Sequence, residues 1–259
     1  MGVTRDGWLD WAERLPGPAD KVYSQPNAAA GYIPHSMVGW RQGWYARLFS
    51  TTRGADGRYT SYAAASVHGS ILQDGRVIQH YPFTASCWAA GSYEANTRFV
   101  SFENEGGYDP PSEPLTAAQV DANVRIIRDL AAWRGWTPRR PTSLHDKTAT
   151  LYEHRECTRF GSAPTACPSG RIPWDVILAR LSAKSEEDEM TDTELIEIIR
   201  SLQDGEFVQD GYIIWQVFKP PRADYPILRR VDDSNADIVR NPRHVPLAVT
   251  AYLPRGPDL

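Results

Sequence analysis

The sequence predicts an α+β fold in which a mixed central β-sheet is flanked by helices, followed by a small C-terminal domain. Two apolar runs in residues 61–83 form a hairpin pattern, and residues 98–107 form a further strand pattern. Amphipathic helices are predicted over residues 114–136 and 172–184. Because strands and helices do not alternate regularly, an α+β arrangement is favoured over a parallel α/β sheet. The 259 residues suffice for one substantial core and a second, smaller domain.

The N-terminal third of the chain predicts a helix, a strand and a hairpin. Trp8, Leu9 and Trp11 lie among charged residues and predict a short helix over about 7–14, followed by a Pro/Gly/Ala-rich loop. The apolar run in residues 31–40 predicts a strand that ends at His35. In the hairpin, apolar runs flank the letters QDGR, and an Asp-Gly pair favours a tight turn.

The strand over residues 98–107 has an unusual polar face. Strict alternation places Glu103 and Glu105 on one face, opposite a face that carries apolar side chains. Two carboxylates on one face of a strand are unusual where that face belongs to the core. A solvated strand face is the alternative interpretation.

The two amphipathic helices have clear boundary signals. Thr116 and Gln119 form a capping-box pattern at the start of the longer helix, and Gly135 ends it. The acidic, aromatic-free segment KSEEDEMTDTE follows the second helix and indicates a boundary near residue 188. The predicted domains are therefore residues 1–188 and residues 189–259. The second domain begins with a helix over 193–203 and continues as short strands.

Composition excludes several classes of partner. The net charge of −4 and the pI near 5.9 provide no basic field for nucleic acid or an anionic membrane surface. No run approaches the roughly 18 apolar residues of a membrane span, and the N-terminal residues lack the pattern of a secretory signal. We therefore expect a protein that is made in the cytoplasm without a signal peptide.

The three cysteines exclude a complete disulfide framework because their number is odd. A single disulfide between Cys87 and Cys157 is the alternative. Free thiols are favoured, and they leave a thiolate available for a metal ion.

Two histidines and one cysteine form a candidate zinc site. Catalytic zinc takes three protein ligands and keeps one open position, and His35, His154 and Cys167 supply such a set. Imidazole and thiolate suit Zn²⁺ better than Mg²⁺ or Ca²⁺. Pro168 restricts the backbone at the thiol. Ordinary hydrogen-bonded histidines and a buried apolar cysteine are the alternative, and His145 is the rival of His154.

Six short segments occur in an order that resembles the zinc-dependent N-acetylmuramoyl-L-alanine amidase family. This family includes phage endolysins of the amidase type and the peptidoglycan recognition proteins. The resemblance spans roughly residues 25–181. Its segments are IPHSMVG, SVHGSILQDGRVIQHYP, CWAAGS, VSFENEGG, EHRE and TACPSGRIPWDVILARL.

The resemblance implies a reaction and a set of site residues. Zinc lies in a cleft on the exposed face of the sheet, bound by His35, His154 and Cys167, and polarises the amide between N-acetylmuramic acid and L-alanine. Glu103 matches the family's catalytic glutamate, which moves the proton from water to the leaving amine. Glu105 is the second choice for this role.

Three further residues are predicted around this centre, and Glu105 has a second predicted role. Trp88, His68 and Glu105 are predicted substrate contacts, with packing in the hairpin as the alternative for His68. Thr165 is predicted to donate its hydroxyl to the oxyanion, at a position where many family members carry a lysine. A long loop is expected between His154 and Cys167.

Departures from the family pattern keep a second interpretation open. Val67 and Ala89 replace a family tyrosine and histidine, and Thr165 is a weaker donor than lysine. The main hypothesis is a monomeric peptidoglycan hydrolase of the phage endolysin type, held in the host cytoplasm before it acts on the cell wall. The alternative is a peptidoglycan-binding module without catalysis. The role of residues 189–259 is either cell-wall binding or structural, and His80 and His244 are interpreted as surface groups.

Overall fold

The structure is a computed structural model that describes residues 2–183 and the backbone of four strands within residues 207–244. The chain divides into two compact units, Met1–Ser182 and Ala183–Leu259. The domain boundary predicted near residue 188 and the helix predicted over 193–203 lie outside the described residues.

The first unit has the predicted α+β architecture. Its strands are β1 (Glu13–Arg14), β2 (Val22–Tyr23), β3 (Tyr32–Ser36), β4 (Gly69–Ile71), β5 (Val77–Gln79), β6 (Ser86–Cys87) and β7 (Val100–Asn104). Its helices are α1 (Arg41–Leu48), α2 (Tyr93–Arg98), α3 (Ala117–Arg134) and α4 (Trp174–Ser182), with a 3-10 helix at His154–Phe160.

The central sheet is mixed and has the strand order β1-β5-β4-β7-β3. The predicted hairpin is formed by the antiparallel pair β4 and β5, and β7 runs parallel to both β4 and β3. The register places Glu103 of β7 between His35 of β3 and Ser70 of β4. Since side chains alternate along a strand, Glu103 points away from the face that carries Phe102.

Helix α3 covers the sheet face that carries Phe102. Val124 and Ile127 belong to the same buried apolar cluster as Phe102 and Ile71. Burying such side chains contributes roughly 1.5–3 kcal/mol each. This packing leaves the opposite face of the sheet, which carries His35 and Glu103, for the functional cleft.

The boundaries of α3 confirm the sequence signals. Thr116 and Gln119 form the reciprocal capping box, in which each side chain bonds the other residue's backbone N–H. Gly135 ends the helix with a φ of 70°, a left-handed conformation that glycine adopts without strain. The Thr116 hydroxyl also donates to the carbonyl of Gln73 at 2.7 Å, which joins the helix to the β4–β5 turn.

The helix predicted over residues 7–14 is wrong. These residues form turns and the short strand β1, which pairs in parallel with β5. Leu9 is fully buried in the main core, and its backbone N–H donates to the side chain of Gln79 at 2.7 Å. Contacts with a distant strand therefore outweigh the local amphipathic pattern.

The second unit contains the short strands expected after residue 203. They are β8 (Phe207–Asp210), β9 (Ile213–Phe218), β10 (Ile227–Arg230) and β11 (Arg243–His244). The sheet order is β10-β9-β8-β11, with β9 antiparallel to both of its neighbours and β11 parallel to β8. Within the described parts of the chain, no helix has the length and apolar character needed to cross a membrane.

The capping box generates a stability prediction. Thr116→Ala removes the hydroxyl that accepts from the N–H of Gln119 and donates to Gln73, so the free energy of unfolding should fall by about 1–2 kcal/mol. Urea denaturation followed by circular dichroism measures this change. Thr51→Ala, in the exposed loop after α1, is the control and should change stability by less than about 0.5 kcal/mol. Equal losses in both variants would contradict the role of the cap.

Candidate active site

Three side chains from distant parts of the chain converge beside the sheet. Ligand atoms of His35, His154 and Cys167 all lie within 4.8 Å of one another. The two imidazole centroids are 4.6 Å apart, and the Cys167 sulfur lies 3.8 Å from Nδ1 of His35. The set predicted from the sequence is therefore brought together. Its rival His145 is exposed and lies outside the group.

Each of the three side chains is positioned by a different element. His35 is fixed by the parallel register of β3 with β7. His154 begins the 3-10 helix, so the segment predicted as a long loop starts as a helical turn instead. Glu153 caps that turn in a reciprocal capping box with Glu156.

The turn that carries Cys167 is joined to both histidine segments. The backbone N–H of Arg155 donates to the Cys167 carbonyl at 2.8 Å, next to His154. The backbone N–H of Ser36, next to His35, donates to the Cys167 sulfur at 3.4 Å. The hydroxyl oxygen of Thr165 accepts from the Cys167 N–H at 3.2 Å, which holds the turn from its other side.

Burial sets the ionisation of this group. Burial, with additional effects from His154 and His68, places the pKa of His35 well below its usual value, and burial also lowers the pKa of His154. Burial and the charge of Glu103 raise the pKa of the Cys167 thiol to about 12. The imidazoles are therefore neutral, which is their ligand form, whereas the thiol needs a nearby cation in order to ionise.

The donor set fits a zinc ion. Two imidazoles and one thiol match the ligand types of catalytic zinc sites, which leave a fourth position open. Nε2 of His35 is buried and has no hydrogen-bond partner among the described residues. A buried polar atom of this kind is costly unless it binds something. These three residues are able to hold a divalent metal ion.

A cleft of about 380 Å³ opens over the three candidate ligands. Glu103, Thr165 and Trp88, all predicted from the sequence, line it, and so does Arg47 of α1. Trp88 stands at the junction with an adjoining groove, where its ring centroid is 5.8 Å from that of Tyr59.

Glu103 is the buried carboxylate of this cleft. Its Oε2 has no hydrogen-bond partner among the described residues. Burial raises the pKa of Glu103 to about 7, while the charges of Arg47 and Arg171 act in the opposite direction. A carboxylate with a pKa near neutrality can both accept and release a proton at physiological pH.

The structure does not bring Glu105 into the cleft. The strand ends at Asn104, so the alternation that groups Glu105 with Glu103 ends one residue too early. The carboxylate of Glu105 instead accepts from the backbone N–H groups of Arg41 and Gln73, at 2.9 and 3.1 Å. Glu105 thus caps the N-terminus of α1 and holds the β4–β5 turn, and the structure does not place its predicted substrate contact in this cleft.

His68 and His80 are buried packing residues. His68 contacts the carbonyl of Ala85 through Nε2 and accepts from the N–H of Ser101 through Nδ1. It is not among the residues that line the cleft, so the packing alternative applies in place of substrate contact. The interpretation of His80 as a surface group is wrong, because its ring is buried between Ser70 and the carbonyl of Leu15.

The cysteines are all free thiols. Cys87 and Cys157 are buried in two different apolar clusters, so the bridge between them does not form. Cys167 alone of the three belongs to the metal-ligand group.

Two arginines at the site were not predicted from the sequence. Arg47 follows Trp44 by three residues, and this helical spacing is the one local signal that both side chains face the cleft. Arg171 follows the Cys167 turn and is almost completely buried. Its contacts depend on the ends of two distant strands, and no local pattern indicates them.

The chain belongs to the N-acetylmuramoyl-L-alanine amidase family, whose model matches residues 28–170, more than half of the chain. The family predicted from the ordered motifs is thereby confirmed. A comparison with curated protein sequences finds no significant match.

Several solved structures are similar to this chain. N-acetylmuramoyl-L-alanine amidase LysC from Clostridium intestinale URNW is 17% identical, with 67% of this chain and 98% of that chain covered and a TM-score of 0.47. A selenomethionine derivative of AmpD is 19% identical, with coverages of 70% and 100% and a TM-score of 0.48. The Ph2119 endolysin from a Thermus scotoductus MAT2119 bacteriophage is 17% identical, with coverages of 62% and 89% and a TM-score of 0.40.

Burial of Glu103 generates a pH-dependent stability prediction. Its pKa rises from 4.5 to about 7 on folding, so ionisation of the carboxyl group destabilises the folded protein increasingly as the pH rises from about 4.5 to about 7. Glu103→Gln should therefore stabilise the metal-free protein at pH 8 by up to about 3 kcal/mol. The gain should be absent near pH 4.5 and should grow until the pH passes about 7.

Urea denaturation in the presence of a chelator, repeated between pH 4.5 and pH 8, measures this gain. Glu13→Gln replaces an exposed carboxylate on β1 and is the matched control, with a stability change close to zero throughout. A gain for Glu103→Gln that does not vary with pH would contradict the burial argument.

Proposed function

We propose that the first unit is a zinc-dependent hydrolase of bacterial peptidoglycan that cleaves the amide between N-acetylmuramic acid and L-alanine. The observation that carries the proposal is the convergence of His35, His154 and Cys167 in one cleft with the buried carboxylate of Glu103. Membership of the N-acetylmuramoyl-L-alanine amidase family supports the same reaction.

Zinc would be held by the imidazoles of His35 and His154 and by the thiolate of Cys167. When bound, the ion supplies a Lewis acid that polarises the scissile carbonyl and lowers the pKa of a water molecule. The backbone N–H groups of Arg155 and Ser36 donate to Cys167 and join the ligand-bearing segments, which supports a preorganised site.

Glu103 acts as the general base and then as the general acid. It takes a proton from the attacking water and gives that proton to the amine of L-alanine as the C–N bond breaks. Its buried position and its pKa of about 7 suit both transfers. No other carboxylate lines the cleft within the described part of the chain.

Thr165 and Trp88 contact the substrate in this proposal. The Thr165 oxygen accepts from the Cys167 N–H, so its own O–H remains available to donate to the carbonyl oxygen. Trp88 presents a half-buried ring at the mouth of the cleft, where it can pack against a sugar or peptide group.

We further propose that the protein is a lytic enzyme of the phage endolysin type, with residues 189–259 as a domain that holds it on the cell wall. The division of the chain into two compact units supports this modular organisation. Wall attachment raises the effective concentration of an enzyme at an insoluble substrate. If a chain of residues 1–188 binds and clears walls as well as the full chain, the targeting role is wrong.

Zinc content tests the ligand assignment. Cys167→Ala removes the soft ligand, and we expect bound zinc to fall from about one ion per chain to well below half of that after dialysis. Atomic emission spectrometry measures the metal. Cys87→Ala removes a buried thiol outside the group and should keep the full content. Full zinc retention in Cys167→Ala would contradict the proposed site.

Product analysis tests the reaction. Digestion of purified wall by the wild type should release new L-alanine amino termini without new reducing sugar ends, as detected by mass spectrometry and end-group assays. Glu103→Gln should lower the rate by at least about 10²-fold while binding zinc normally. Reducing ends without amino termini would indicate a glycosidase. Wall binding and zinc binding without any cleavage would indicate the non-catalytic module.

A further inference from the structure

The proposed cleavage develops negative charge on the scissile carbonyl oxygen. Among the described residues that line the cleft, one side-chain cation is available to stabilise that charge. Apart from the candidate ligands and Glu103, the described lining residues are mainly apolar or weakly polar, with Val67 and Ala89 among the apolar ones. Arg47 is the single lysine or arginine among them. We infer that Arg47 is a further catalytic residue, whose guanidinium donates hydrogen bonds to that oxygen. This inference rests on the proposed function.

The donors of Arg47 are available to a ligand. Its Nε donates to the carbonyl of Tyr62 at 2.9 Å, which fixes the direction of the guanidinium plane. Within residues 2–183, neither terminal nitrogen has a hydrogen bond or an ion pair. An arginine held through Nε presents its two remaining amino groups as a fork that suits an oxygen anion.

The backbone that carries Arg47 is rigidly anchored. The ammonium of Lys21 donates to the carbonyls of Arg47 and Leu48, at 3.2 and 2.6 Å, and Lys21 is completely buried. These bonds satisfy carbonyls at the C-terminal end of α1, where a cation is favoured. One turn earlier, Trp44 packs in a buried apolar cluster. Arg47 is therefore a preorganised cation, which is the kind of group that stabilises developing charge most effectively.

The hydrolysis needs no reactant besides water and the amide substrate. Water attacks the carbonyl carbon, the new C–O bond forms, and the C=O π pair moves to the carbonyl oxygen while Glu103 takes the proton. Arg47 and Thr165 donate to the negative oxygen. When that pair returns, the C–N bond breaks and the nitrogen receives the proton from Glu103. The products are the lactyl carboxylic acid of the sugar and the free amine of L-alanine.

Binding of the product carboxylate provides a second test of the role of Arg47. A guanidinium that stabilises the oxyanion also faces the carboxylate formed from the same carbonyl group. Free N-acetylmuramic acid carries this carboxylate, whereas N-acetylglucosamine lacks the lactyl group. The two sugars therefore distinguish an anion site from general sugar binding.

The experiment compares Arg47→Gln, Arg47→Lys and the control Arg58→Gln in the full-length, zinc-loaded chain. Arg58 lies in the adjoining groove and does not line the cleft. For Arg47→Gln we expect kcat on a soluble muramoyl peptide to fall by about 10²–10³-fold, with KM little changed. Arg47→Lys should recover part of the rate, and Arg58→Gln should match the wild type.

Calorimetric titration supplies the binding measurement. N-acetylmuramic acid should bind Arg47→Gln at least about tenfold more weakly than the wild type, both with zinc and with the ion removed, and N-acetylglucosamine should not discriminate between them. If circular dichroism shows that Arg47→Gln is poorly folded, the rate of Arg47→Lys tests the inference in its place. A partly recovered rate supports the role of the cation, and a rate as high as that of the wild type or one with no recovery contradicts it.

Several results would overturn the inference. These are a kcat of Arg47→Gln close to that of the wild type, a rise in KM alone, and equal losses in Arg47→Gln and Arg58→Gln. Wild-type protein that cleaves no amide would contradict the proposed function instead. In that case, weaker N-acetylmuramic acid binding by Arg47→Gln would still support the anion site, and unchanged binding would overturn it.

Discussion

The buried guanidinium of Arg171 joins the segments that carry His35, Glu103 and Cys167. It donates to the Ser36 hydroxyl at 2.9 Å and to the carbonyls of Asn104 and Glu105 at 3.1 and 2.9 Å. Its backbone N–H donates to the carbonyl of Pro168, directly after Cys167. These partners adjoin His35, Glu103 and the thiol in sequence. A buried cation is tolerated because its donors are satisfied, and that requirement fixes the strand ends relative to the turn.

The ionisation states of the cleft residues follow from their burial. Burial keeps the imidazoles of His35 and His154 neutral, raises the pKa of Glu103 to about 7 and suppresses ionisation of the Cys167 thiol. Near neutral pH only the shift of Glu103 lowers the stability of the folded protein, because the imidazoles and the thiol are neutral there in the unfolded chain as well. A bound dication would favour the ionised forms of the Cys167 thiol and the Glu103 carboxylate. Arg47 extends this arrangement, because a positioned cation that lines the cleft stabilises negative charge that develops beside it.

The sequence predicts those features that depend on local pattern or on an ordered set of motifs. The hairpin, α3 with its capping box, and the three candidate ligands follow from such signals. Features set by long-range contacts were not predicted. Glu105 lies just beyond the strand end, and His80 is buried against the carbonyl of Leu15 in the N-terminal segment. Residues 7–14 form turns and the short strand β1, which pairs with β5, in place of a helix. Arg47 was not predicted because its three-residue spacing from Trp44 shows only that the two side chains share a helix face, and not that this face lines the cleft.

X-ray absorption spectroscopy of the zinc-loaded protein identifies the ligands, because it reports the atoms bound to the ion. We expect two nitrogen scatterers at about 2.0–2.1 Å and one sulfur at about 2.3 Å, completed by an oxygen from solvent. The sulfur contribution should vanish in Cys167→Ala. A first shell of nitrogen and oxygen alone in the wild type, or a sulfur shell that survives the substitution, would contradict a site built from His35, His154 and Cys167.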